Sequence, residues 1–152
     1  MIARLAPALI LALALTGASL AAPAPVEISA NEFTVEESAH QATFAGDVVV
    51  KRPGMTLWAG KVVVDYGDGG PSNIVSFVAT GGVRLQTNDQ TAKGDRADYD
   101  PKTQILRLTG NVTITNASGT LTGPQLVLNL ADNTTTFSAK GGGRVTGVFT
   151  PQ

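Results

Sequence analysis

The 152-residue chain has no cysteine, one histidine and one tryptophan, and aromatic residues make up only 5% of it. Without thiols there is neither a disulfide framework nor thiolate chemistry. A lone imidazole, His40, beside Ser38 and Gln41 in an expected turn, does not assemble a metal site. Carboxylates do not compensate. Asp95, Asp98 and Asp100 come nearest, but Asp98 and Asp100 fall on the outward side of a strand and Asp95 at its corner, so they read as a charged outer face rather than a calcium site. Gly67-Asp68-Gly69-Gly70-Pro71 and Gly141-Gly142-Gly143 lack the spacing and the lysine of a phosphate-binding loop, and no helix pattern follows either. The expectation is a protein that is not an enzyme, with no catalytic residues, no metal and no cofactor.

Long apolar runs are scarce as well. The exception is residues 5–15, which follow Arg4 and lead into Thr16-Gly17-Ala18-Ser19-Leu20-Ala21-Ala22. A basic start, a short apolar stretch and small residues at the minus three and minus one positions describe a secretory signal peptide, residues 1–22, cleaved near Ala21 or Ala22. The run is too short for a membrane span, and no cysteine follows it to carry a lipid. Residues 23–152 form one domain by size. Arg4 is one of eleven basic residues, so ten remain against twelve acidic ones, a balance of about −2 that attracts no nucleic acid.

What the sequence has is alternation. Around Gly110, the residues Leu106, Leu108, Val112 and Ile114 lie on one side and Arg107, Thr109, Asn111, Thr113 and Thr115 on the other, the signature of a strand with one apolar face. Gly46, Gly81 and Gly141 occupy equivalent places, at separations of 35, 29 and 31 residues. A glycine inside a strand marks a bend, a bulge or a close approach. A second unit alternates with the first: a small residue, two variable positions, then two apolar residues spaced by one. Its copies are Ala30/Phe33/Val35, Ala59/Val62/Val64, Gly94/Ala97/Tyr99 and Gly123/Leu126/Leu128. Turn residues separate the units, so the chain reads as a run of hairpins, with strands over residues 26–36, 40–52, 55–66, 73–87, 91–99, 103–116, 120–130 and 135–149, several of them split at their glycine.

This frame points Phe44, Val48, Val50, Leu57, Val62, Val64, Phe77, Val83, Leu85, Tyr99, Leu106, Leu108, Val112, Ile114, Leu126, Leu128 and Phe137 into one interior. Two readings of that interior stand side by side: a packed core, or a groove for apolar chains. The small inward residues Ala42, Ala79, Ala97 and Ala139 favour the groove.

The units Phe44-Ala45-Gly46-Asp47-Val48-Val49-Val50, Ala59-Gly60-Lys61-Val62-Val63-Val64, Lys93-Gly94-Asp95-Arg96-Ala97-Asp98-Tyr99 and Leu108-Thr109-Gly110-Asn111-Val112, with the ending Lys140-Gly141-Gly142-Gly143-Arg144-Val145-Thr146, resemble the OstA-like (organic-solvent-tolerance) family of periplasmic lipopolysaccharide transport proteins. The resemblance spans essentially the whole of residues 23–152. It implies an all-β, open β-jellyroll of about sixteen short antiparallel strands. It also implies a periplasmic carrier that binds lipopolysaccharide and passes it from the inner to the outer membrane for outer-membrane assembly, with the acyl chains inside. Implied partners are lipopolysaccharide, the jellyroll of the inner-membrane transport subunit, the N-terminal jellyroll of the outer-membrane translocon, and further copies in a head-to-tail homo-oligomer. An open sheet leaves edges that β-augmentation can satisfy. Val26, Ile28, Phe33 and Val35 at one end, and Arg144, Val145, Val148 and Phe149 at the other, are the expected docking edges. The alternatives are a self-polymerising β-solenoid scaffold, disfavoured by the uneven spacing, and a sister jellyroll domain with no carrier role.

Overall fold

The computed structural model describes residues 25–140 and 142–151. The expected signal peptide, residues 1–22, lies outside the described residues, and so does Gly141. Among the described residues ten strands form a single antiparallel sheet: β1 Glu27–Ser29, β2 Glu32–Glu36, β3 Gln41–Arg52, β4 Met55–Asp65, β5 Ser76–Thr87, β6 Gln90–Asp100, β7 Ile105–Asn116, β8 Gly119–Asn129, β9 Thr134–Ser138 and β10 Thr146–Phe149. Each of β3 to β8 pairs with its sequence neighbours, through short hairpin turns everywhere but between β4 and β5, where the connection over residues 66–75 is longer and holds the 3-10 turn Gly67–Gly69. The short strands β1 and β2 both pair with β3, while β9 and β10 both pair with β8. First and last strands do not meet, so the sheet is open. Apart from 3-10 turns such as Glu37–Ala39 there is no helix among the described residues, and none long and apolar enough to cross a membrane.

The bend that folds this sheet is written into the odd strands. The β3/β4 register runs from Ala45↔Lys61 to Val48↔Ala59, so Gly46 and Asp47 oppose one residue, Gly60. The same two-against-one bulge recurs where Gly81 and Gly82 of β5 oppose Asp95, and where Gly110 and Asn111 of β7 oppose Pro124. Both residues of each pair have positive φ: 79° and 45°, 81° and 78°, 79° and 49°. Glycine, aspartate and asparagine are the residues that tolerate this conformation. Pro124 sits where the ladder is interrupted, so its missing N–H forfeits no bond.

The bulges divide the sheet into two layers. Layer one holds β2, residues 41–45, 61–65, 76–80, 96–100, 105–109 and 125–129, and β9. Layer two holds β1, residues 48–52, 55–58, 83–87, 90–93, 112–116 and 119–123, and β10. Folding along the line of bulges brings the apolar faces together as one core that includes Leu85, Val48 and Val112 of layer two and Leu108, Leu126 and Val62 of layer one. All six are less than 2% exposed, and no polar or charged side chain is buried among the described residues.

Eight half-strands in each layer account for the expected sixteen short strands, but the continuous elements number ten, because the bulges bend β3 to β8 without ending them. The first and last expected strands are the ones that break. The break after β1 falls at Ala30-Asn31, where the Asn31 N–H donates to the Gly46 carbonyl at 3.0 Å. The break between β9 and β10 contains Gly142 and Gly143, with φ of 99° and 93°. Every ladder being antiparallel, the chain is not a solenoid of parallel coils.

Candidate functional site

The three-residue step of the second sequence unit has a structural cause. On β4 the inward residues are Leu57, Ala59, Val62 and Val64, so the alternation changes parity across Gly60; on β6 it changes across Asp95 and on β8 across Pro124. A single residue turns the corner there, opposite the two of the bulge. Gly60 and Asp95, and likewise Asn31 at the break between β1 and β2, lie over a glycine of the next odd strand: Asn31 over Gly46, Gly60 over Gly81, Asp95 over Gly110. Asn111 donates from Nδ2 to Asp95 Oδ2 at 3.0 Å, and Asn31 to Asp47 Oδ2 at 3.4 Å. These polar pairs close the outside of the fold line, leaving the space between the layers to apolar groups.

All seventeen residues expected to face the interior lie in the core or against it. Phe44, Val50, Phe77, Tyr99 and Phe137 are half-buried at its margins, and the other twelve are buried. The interior is largely filled. A cleft of about 80 Å³ remains between Val50, Met55 and Leu57 of layer two and Val62, Phe77, Tyr99 and Leu106 of layer one. That is roughly half the volume of a protein cavity known to admit benzene. Opening away from the fold line, a wider and more polar mouth of about 580 Å³ lies between the Arg52–Met55 and Thr87–Gln90 turns on one side and residues 128–135 on the other. Sequence alternation missed Ala92, which is buried, and Met55 and Arg52 at the cleft's edge. Arg52 continues the inward series of Val48 and Val50, and that parity was the available signal; it stands at the end of the expected strand over residues 40–52, but as a charged residue it is not counted with the apolar interior.

The expected edge residues fall into two groups at opposite ends of the sheet order. Phe33 and Val35 on β2, with Val26 beside β1, are exposed, and Ile28 packs on the core. At the far end Val148 is 67% exposed and Phe149 62%, with Val145 and Arg144 just before β10 also open to solvent. Phe33 lies on Phe44, with 4.8 Å between ring centroids.

The remaining polar candidates have structural partners. Asp98 holds Arg96 through two 2.9 Å hydrogen bonds, and that contact raises the Arg96 pKa. Asp100 accepts the Lys102 N–H at 2.8 Å, which lowers its pKa below the ordinary aspartate value. His40 caps the Glu37–Ala39 turn with φ 53°, lies edge-on to Tyr66 and reaches Asp68 at 3.2 Å, an exposed pair worth little. Trp58 lies under the Arg84 guanidinium at 4.9 Å. No group of three metal-ligating side chains occurs among the described residues.

Comparison with solved structures finds the crystal structure of LptH from Pseudomonas aeruginosa, described as the LptA-homologous periplasmic component of the conserved lipopolysaccharide transport device. The match has a TM-score of 0.72 at 17% identity and covers 84% of this chain and 96% of that one. At that identity it speaks for the fold. No curated protein matches the chain significantly. A family model does match, over residues 27–134, from β1 to the start of β9. By that match the chain belongs to the LptA/(LptD N-terminal domain) LPS transport protein family.

Proposed function

We propose that this chain is a periplasmic, non-enzymatic carrier that holds the acyl chains of lipopolysaccharide between its two layers and passes the lipid from the inner toward the outer membrane. The observation that carries this reading is an unbroken apolar interior with a mouth along one side, in a chain of the LPS transport family. As described, the interior is too full for an acyl chain, so loading requires the layers to part about the fold line. Each buried methylene is worth about 0.8 kcal/mol, so a chain of about ten recovers on the order of 8 kcal/mol toward the cost of parting the layers. Sugars and phosphates stay at the mouth in water. Transfer uses the two open edges: β1 and β2 of one copy against β9 and β10 of the next, continued by the jellyroll of an inner-membrane transport subunit at one end and the N-terminal jellyroll of an outer-membrane translocon at the other. The signal peptide in residues 1–22 supplies export.

A second reading, a docking jellyroll whose core never opens, is favoured by the filled interior. Equilibrium binding of purified protein to intact and deacylated lipopolysaccharide separates the two. The carrier binds the intact lipid and loses it on deacylation; equal binding of both forms, or of neither, contradicts it.

A further inference from the structure

On strands β3 to β8 the inward positions are apolar or neutral except at one place. Arg52, the last residue of β3, follows Val48 and Val50 on the inner face and lines both the apolar cleft and the wider mouth. It is half-buried, and among the described residues it makes no ion pair. Asp89, on the β5–β6 turn, also lines the mouth but lies beyond ion-pair distance. Of the other inward strand ends on the same lip, Met55 is apolar and Thr87, Gln90 and Asn116 are neutral and polar. An arginine stem can lie along apolar surface while its head stays wet. What distinguishes Arg52 is that its planar fork of donors is set at the opening of a cleft whose lining is otherwise apolar apart from the Tyr99 phenol.

We infer that Arg52 is the head-group anchor of this protein: its guanidinium binds a phosphate of an acylated, phosphorylated lipid whose chains enter the cleft beneath it. The inference rests on the acyl-carrier reading above. Charge complementarity singles out an anionic amphiphile, since a neutral lipid would leave the guanidinium unused and a free anion would leave the cleft unused. Arginine suits the task because a phosphate accepts two parallel N–H bonds from it, which fixes the head group relative to the chains.

The test compares lipid A with chemically dephosphorylated lipid A, and includes inorganic phosphate alone, on the unmutated protein and on Arg52→Gln and Arg52→Lys. Thermal unfolding of each variant verifies that it folds. The expected result is a loss of about 10-fold or more in lipid A affinity for Arg52→Gln, partial retention by Arg52→Lys, and no change for the dephosphorylated lipid. Equal loss for both lipids would overturn the inference, because Arg52 would then act through its packing; so would lipid A binding that ignores the substitution. Arg52-dependent binding of inorganic phosphate as tight as that of lipid A would overturn it in favour of a free-anion site. If the unmutated protein binds neither lipid, the carrier reading falls as well.

Discussion

At the scale of single residues, Gly110 and Leu108 show two kinds of constraint two positions apart. Gly110 combines a φ of 79° with the Asp95 side chain lying where a Cβ would stand, so Gly110→Ala is expected to destabilise by more than about 1 kcal/mol in chemical denaturation. Leu108 is fully buried, and Leu108→Ala should cost about 2–5 kcal/mol in the same measurement. Alternation around Gly110 disclosed the inward direction of Leu108, because a half-buried strand has only two sides. The bulge was harder to read: Asp47 and Asn111 look like ordinary outward polar residues until their positive φ is seen. Asp100 gives a pH signature. Its folded pKa is depressed by the Lys102 N–H, so its contribution is complete above the ordinary aspartate pKa and is lost as pH falls through the lower folded value. Asp100→Ala should therefore lower the melting temperature at neutral pH, with the difference vanishing in acid.

Among the elements, the six long strands were legible to within three residues at their ends, because tight turns such as Pro53-Gly54 and Ser118-Gly119 punctuate them. The first and last were read as continuous and are each divided in two. Interior strands are held on both sides and can absorb a bulge as a bend, whereas an edge strand has one neighbour, so at Ala30-Asn31 and beyond Ser138 the ladder lets go. That leaves β10 a four-residue strand whose Val148 and Phe149 are both exposed beside an unpaired edge. If this edge docks to another copy, Val148→Lys should shift the protein toward monomer in analytical ultracentrifugation while changing unfolding stability by no more than about 0.5 kcal/mol, as surface substitutions do. Unchanged self-association would exclude β10 as a docking edge.

For the whole molecule, alternation disclosed a run of β-hairpins with one apolar interior, the family resemblance supplied the openness of the sheet, and the four-residue and three-residue steps of the two units already encoded the fold line. The filling of that interior was hidden, because alternation reports which way a side chain points and says nothing of how closely two layers approach. Phe77 and Tyr99 illustrate this: both point inward as expected, their ring centroids are 6.0 Å apart, and between their layer and Leu57 only the narrow cleft is left. The central claim, that acyl chains part these layers and lie between them, is tested most directly by site-specific photocrosslinking in cells at two adjacent residues of β7. Leu106 faces the cleft and Arg107 faces solvent. Capture of lipopolysaccharide at Leu106 and not at Arg107 is the predicted result; capture at neither, or equally at both, would contradict the account.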